Sequence, residues 1–98
     1  MVANPDPIEA AHRPYLVVLQ SDLVSGLTST VVAPLVPREQ MKGAQRLNPL
    51  LPVEGQDYWL ATHELFAVDQ RILRAKVATL TQHRDVIIAA LDFVFVGF

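Results

Sequence analysis

The histidine, arginine and acidic side chains are those from which this chain could build a reactive site, and their spacing decides what they can do. His12, His63 and His83 lie far apart, and none belongs to an H-x-x-x-H or H-E-x-x-H pair that would set two ligands on one helical face. His63-Glu64 runs on into Leu65-Phe66-Ala67, so the second histidine is missing and no metal site is expected. Ser21, His83 and Asp92 are the residue types of a nucleophilic triad, but Ser21 sits in no nucleophile elbow. Gly26, Gly43, Gly55 and Gly97 are scattered rather than gathered into a phosphate-cradling loop, which excludes nucleotide hydrolysis. Arg13, Arg71, Arg74, His63 and Asp69 are the types that cleave RNA beside a 2′-hydroxyl, and ribonuclease chemistry stays open by type. The cationic groove with interleaved aromatics that would hold RNA is missing. The chain therefore reads as a protein that acts by contact, without catalysis, metal or cofactor.

Composition agrees with that reading. Ninety-eight residues make one domain, residues 1–98, with no internal repeat. Apolar residues are 51% and charged residues only 18%, too few charges to cover the outside, so a shared apolar surface is expected. The absence of cysteine excludes a disulfide scaffold, a zinc ribbon and thiol chemistry, and fits a reducing cytoplasm. A net charge of −2 argues against binding nucleic acid through phosphate neutralisation and favours a protein partner. The opening Met1-Val2-Ala3-Asn4-Pro5-Asp6-Pro7 lacks the basic and apolar regions of a signal peptide. The longest apolar run is too short to span a membrane.

The elements that must position any contact surface follow from pattern. Residues 1–14 carry three of the seven prolines and no period of two or 3.6, which reads as an irregular arm. Residues 15–20, β-branched and aromatic, form a strand, and residues 28–36 a second in which Pro34 marks an edge, bulge or bend. Arg38, Lys42 and Arg46, spaced four apart, would form one stripe on a helix, but Gly43 weakens that helix and a solvated loop is expected. Residues 50–53 and 58–62, separated by Glu54-Gly55-Gln56-Asp57, are a hairpin with Gly55 free to take positive φ. Trp59, on its second arm, reads as core. Residues 65–68 and 75–78 are two further short strands, so the order is antiparallel β.

The end differs. Thr81 can cap a helix running from Gln82 to about Val96, and beyond Val86 only Asp92 is charged, seven residues after Asp85 on nearly the same face. A helix that is apolar nearly all round must be buried on more than one side. A domain this small covers one, so the other, including Val94, Phe95, Val96 and Phe98, is expected to meet a second chain.

Three stretches together are specific: Tyr15-Leu16-Val17-Val18-Leu19-Gln20-Ser21-Asp22-Leu23, then Thr30-Val31-Val32-Ala33-Pro34-Leu35, then RDVIIAALDFVFVGF from Arg84 to Phe98. With Leu47-Asn48-Pro49, Val53-Glu54-Gly55 and Leu60-Ala61-Thr62 between them, the chain from Tyr15 to Phe98 resembles the CcdB family, toxins of the CcdA–CcdB toxin–antitoxin system. The resemblance implies a mainly β fold with a C-terminal helix, a small SH3-like antiparallel β-barrel of the CcdB and MazF toxin type, assembled as a homodimer. It implies a protein that is not an enzyme but poisons DNA gyrase by binding the A subunit and trapping the cleaved DNA complex. A CcdA-like antitoxin, with an acidic disordered tail, would neutralise it, steered here by Arg13, Arg71 and Arg74.

Carried over by position, the gyrase-binding residues are Val96, Gly97 and Phe98, with Ser21, Leu23, Val24, Asp92 and Phe95 around them. The dimer interface takes in Val94, Phe95 and Phe98. Val96 stands where the family has a tryptophan that stacks on a gyrase arginine, and valine has no π-face. Family members also open on an x-F-x-V-Y strand, of which Met1-Val2-Ala3 before Asn4-Pro5 is only a part. Two alternatives remain: an RNA-cleaving toxin on the related MazF-type barrel, and a CcdB homologue that dimerises and binds antitoxin without poisoning gyrase.

Overall fold

The computed structural model of the chain describes residues 1–6, 8–19, 29–43, 47–73 and 80–96, with the Thr81 side chain left aside. Six strands and one α-helix are described: β1 (Val2–Ala3), β2 (Tyr15–Val18), β3 (Ser29–Pro37), β4 (Leu50–Val53), β5 (Gln56–Leu60), β6 (Phe66–Asp69) and α1 (Arg84–Val96). All strand pairings are antiparallel, in the order β1-β2-β3-β5-β4, with β6 also on β3. The result is a half-barrel closed by a single C-terminal helix, as the sequence led one to expect.

β3 organises the sheet. One edge pairs with β2, Val18 opposite Val32 and Tyr15 opposite Leu35. The other edge changes partner midway: Ser29 to Val32 pair with β6, and Leu35 to Pro37 pair with β5. Pro34 lies at that seam. Its carbonyl accepts from Ala61 N–H at 2.9 Å, and since a strand residue's N–H and C=O point to the same side, the missing N–H faces the seam. The proline thus falls where the ladder forks, in a strand that is central rather than at an edge.

Alternation along β2 divides the interior in two. Val17, with Ala33, Leu35, Leu51, Val53, Tyr58, Leu60 and Met1, forms the main core on one face, and Ile87 of α1 packs on it. Leu16, on the opposite face, joins Val2 and Val32 in a smaller cluster bordered by Val68 and Leu73. Leu35, Leu51 and Leu60 are fully enclosed, and truncating any of them to alanine removes about 2–5 kcal/mol.

Several local features refine the sequence reading. Residues 1–14 contain more order than an irregular arm: β1 pairs with β2, and Glu9–Ala11 is a 3-10 turn. Met1 and Val2 are buried, so an edge strand of only two residues still covers core. The hairpin turn is tighter than four residues, because Gln56 and Asp57 already pair with Val53 and Pro52. Glu54 (φ 51°) and Gly55 (φ 83°) carry the reversal, the two positive φ values that a type I′ hairpin requires. The helix begins as a 3-10 turn, Thr81–His83, before α1 proper. The strand expected over residues 75–78 lies outside the described residues.

Trp59 is only partly buried. Its ring lies on Gly43, where a Cβ would overlap the six-membered ring, and its Nε1–H donates to the Arg38 carbonyl at 3.2 Å. Glycine at 43 is therefore a packing requirement, and the segment after the 3-10 turn Arg38–Gln40 is held against β5.

Candidate functional site: the exposed face of the terminal helix

The packed side of α1 is narrow. Ala90 is fully buried, while Ile87, Leu91 and Val94 are partly buried, a stripe at spacings of three and four. Around the rest of the helix, Asp85, Ile88, Ala89, Asp92, Phe95 and Val96 are exposed. Phe95 is 71% and Val96 58% exposed, and Val86 and Ile88 are nearly half so. Half of the expected picture is thus present, because the barrel covers one side and leaves an apolar face open.

Among the eight residues carried over as gyrase contacts, Asp92, Phe95 and Val96 come together on this face at i, i+3 and i+4. Asp85 joins them one heptad earlier, as its spacing from Asp92 requires. Ser21, Leu23, Val24, Gly97 and Phe98 lie outside the described residues. Val94, grouped with Phe95 as a dimer contact, turns about 100° away from it, toward the packed side. Apart from Asp85 and Asp92 the described part of this face is apolar, a surface suited to being covered rather than to moving protons.

The residues with acid–base capability are arranged otherwise. Arg13 Nε and Nη2 donate to the two carboxylate oxygens of Glu64 at 2.8 and 3.0 Å, a bidentate pair tying the N-terminal arm to the 3-10 turn Thr62–Glu64. That bond, against a smaller desolvation cost, raises the Arg13 guanidinium above its ordinary value. His63 Nε2 lies 3.6 Å from the same carboxylate, and its Nδ1 is 3.1 Å from the Nδ2 of buried Asn48. Asn48 Nδ2 also donates to the Leu60 carbonyl at 3.0 Å, so this amide pins β5 to the turn behind it. Asp69, at the end of β6, binds Arg71 through its side chain at 2.6 Å and through the backbone N–H at 2.9 Å. Those two bonds, the side-chain one first, hold the Asp69 carboxyl below its usual range.

Two consequences follow for the sequence expectations. Of the five residues of ribonuclease type, the four described ones fall into two separate ion-pair groups: Arg13 and His63 share Glu64, and Asp69 and Arg71 bind each other, while Arg74 lies outside the described residues. Arg13 and Arg71, expected to attract an acidic tail, each already face a carboxylate, so their long-range pull is largely cancelled. The Arg13–Glu64 pair was not visible in the sequence, since the two residues are fifty-one positions apart. Among the described residues, no three metal-ligating side chains are gathered, and no helix is long and apolar enough to cross a membrane.

No curated protein matches the chain. The sequence model of the CcdB protein family matches residues 2–97 of the 98. The match takes in the N-terminal arm, which the motif resemblance had not covered, along with every element of the half-barrel. The chain belongs to the CcdB family, and by that membership it is a toxin of a toxin–antitoxin system.

Proposed function

We propose that this protein poisons DNA gyrase by contact, entering as a homodimer against the A subunit and trapping the enzyme on cleaved DNA, with α1 and the residues after it as the contact surface. What carries the reading is Phe95 and Val96, two large apolar side chains held mostly in water beside Asp92 at the end of α1. An aromatic anchor at the centre of an interface is a common source of binding energy. Here Phe95 offers the π-face that Val96 lacks, one residue away and about 100° round the helix. The dimer forms over the remaining apolar surface of the domain. A CcdA-like antitoxin competes for the helix, and no bond is made or broken by the toxin itself.

Killing on expression in a gyrase-dependent bacterium tests this. Replacing Phe95 and Val96 together by serine should leave the half-barrel folded, since both are exposed, and should abolish killing. Undiminished killing by the folded double variant contradicts the proposal. RNA fragments produced by the pure protein would move the assignment to a cleaving toxin. A dimer that binds antitoxin but never kills would make the chain a homologue without the poison.

A further inference from the structure

On the side of the sheet opposite the main core, a cleft of about 620 Å³ opens between the N-terminal arm and β6. That volume falls within the range of about 300–1,000 Å³ typical of ligand sites. Its floor is apolar, made by Leu16, Pro34, Phe66, Val68 and Ile72. The register explains the floor: Leu16 lies opposite Pro34, and Phe66 and Val68 lie opposite Val32 and Thr30, so all point to one face. Phe66 and Ile72 are 43% and 47% exposed, well above what a closed core would leave.

The rim carries the opposite character. Asp6, Glu9 and Glu64 line it with one guanidinium, that of Arg13, which is already bound to Glu64 at both carboxylate oxygens. Three carboxylates thus face one cation, leaving an acidic margin around a greasy floor. The Asp6 carboxylate is fixed there: its Oδ1 accepts from Ile8 N–H at 2.9 Å and from Glu9 N–H at 3.4 Å.

We infer that this cleft docks a basic, aliphatic peptide segment, whose leucine-like side chains enter the floor while its lysines or arginines meet Asp6 and Glu9. Charge complementarity decides the class of partner. An acidic tail of the kind the antitoxin reading invokes is repelled here, as is a phosphate backbone. The surface is separate from the exposed face of α1, so this docking does not depend on gyrase being the target.

The test uses the full chain and a fluorescein-labelled peptide of lysine and leucine, followed by fluorescence anisotropy, with glutamate–leucine and lysine–serine peptides alongside. The lysine–leucine peptide should bind best and weaken as salt is added. Asp6→Asn with Glu9→Gln keeps the Oδ1 acceptor and should lower its affinity about three- to tenfold, as the loss of two exposed charge pairs would. Ile72→Ser, at a half-exposed position, should weaken it too, whereas Phe95→Ser on α1 should not. Absence of binding, equal binding of the lysine and glutamate peptides, or a loss caused by Phe95→Ser and not by the cleft variants overturns the inference. Circular dichroism melting of each variant separates a lost site from a lost fold.

Discussion

Tyr58 shows how one buried side chain sets a pH limit on the fold. Its ring is 7% exposed, meets Tyr15 edge to face at 5.6 Å, and its hydroxyl donates to Gln56 Oε1 at 3.0 Å. Burial first, then Tyr15, Glu39 and Glu54, raise the phenol above its ordinary 10.0. A folded value above the unfolded one means that the contribution is complete below about pH 10 and is lost as pH rises through the folded value. Tyr58→Phe keeps the ring and removes that loss, so its urea midpoint should fall less steeply than the parent's above about pH 10. Equal slopes would place the alkaline sensitivity elsewhere. At the same scale, the Arg13–Glu64 pair is partly buried and bidentate. Glu64→Gln should cost about 1 kcal/mol in urea unfolding at low salt, and less at high salt.

Elements were legible to different degrees, for physical reasons. β2, β3 and the hairpin could be read because apolar and β-branched runs bounded by Pro, Gly and polar residues leave few alternatives. β1 could not, since a strand of two residues has no period and is made by its partner Leu16. Pro34 was read as a sign of an edge, a bulge or a bend because proline cannot donate to a ladder. The fork in β3 that accommodates it is a tertiary fact. The role of Gly43 was equally hidden, because Trp59 reaches it from another element. On α1 the sequence showed an excess of apolar residues and the shared face of Asp85 and Asp92. Only packing shows that Val94 turns inward while Phe95 stays out. The hairpin offers the clearest element-scale test. Glu54 sits at φ 51°, a conformation that asparagine tolerates better. Glu54→Asn should therefore raise stability by about 0.5–1 kcal/mol, read as a higher urea midpoint with an unchanged slope. A lower midpoint would contradict the type I′ assignment.

For the whole molecule, the Cα radius of gyration of 12.7 Å matches the roughly 12.6 Å expected of a compact chain of this length. Val86 and Ile88, left nearly half exposed on α1 outside the proposed gyrase contact, are apolar surface of the kind the proposed homodimer would cover. Light scattering behind gel filtration at micromolar concentration should give twice the chain mass, and a monomer there would remove the symmetric element from the proposed poison. The central claim is decided by mixing the dimer with DNA gyrase, supercoiled plasmid and ATP, then denaturing the enzyme. Linear plasmid is the expected product, and it should increase with Val96→Trp. No linear plasmid from protein shown to be folded and dimeric would contradict the account.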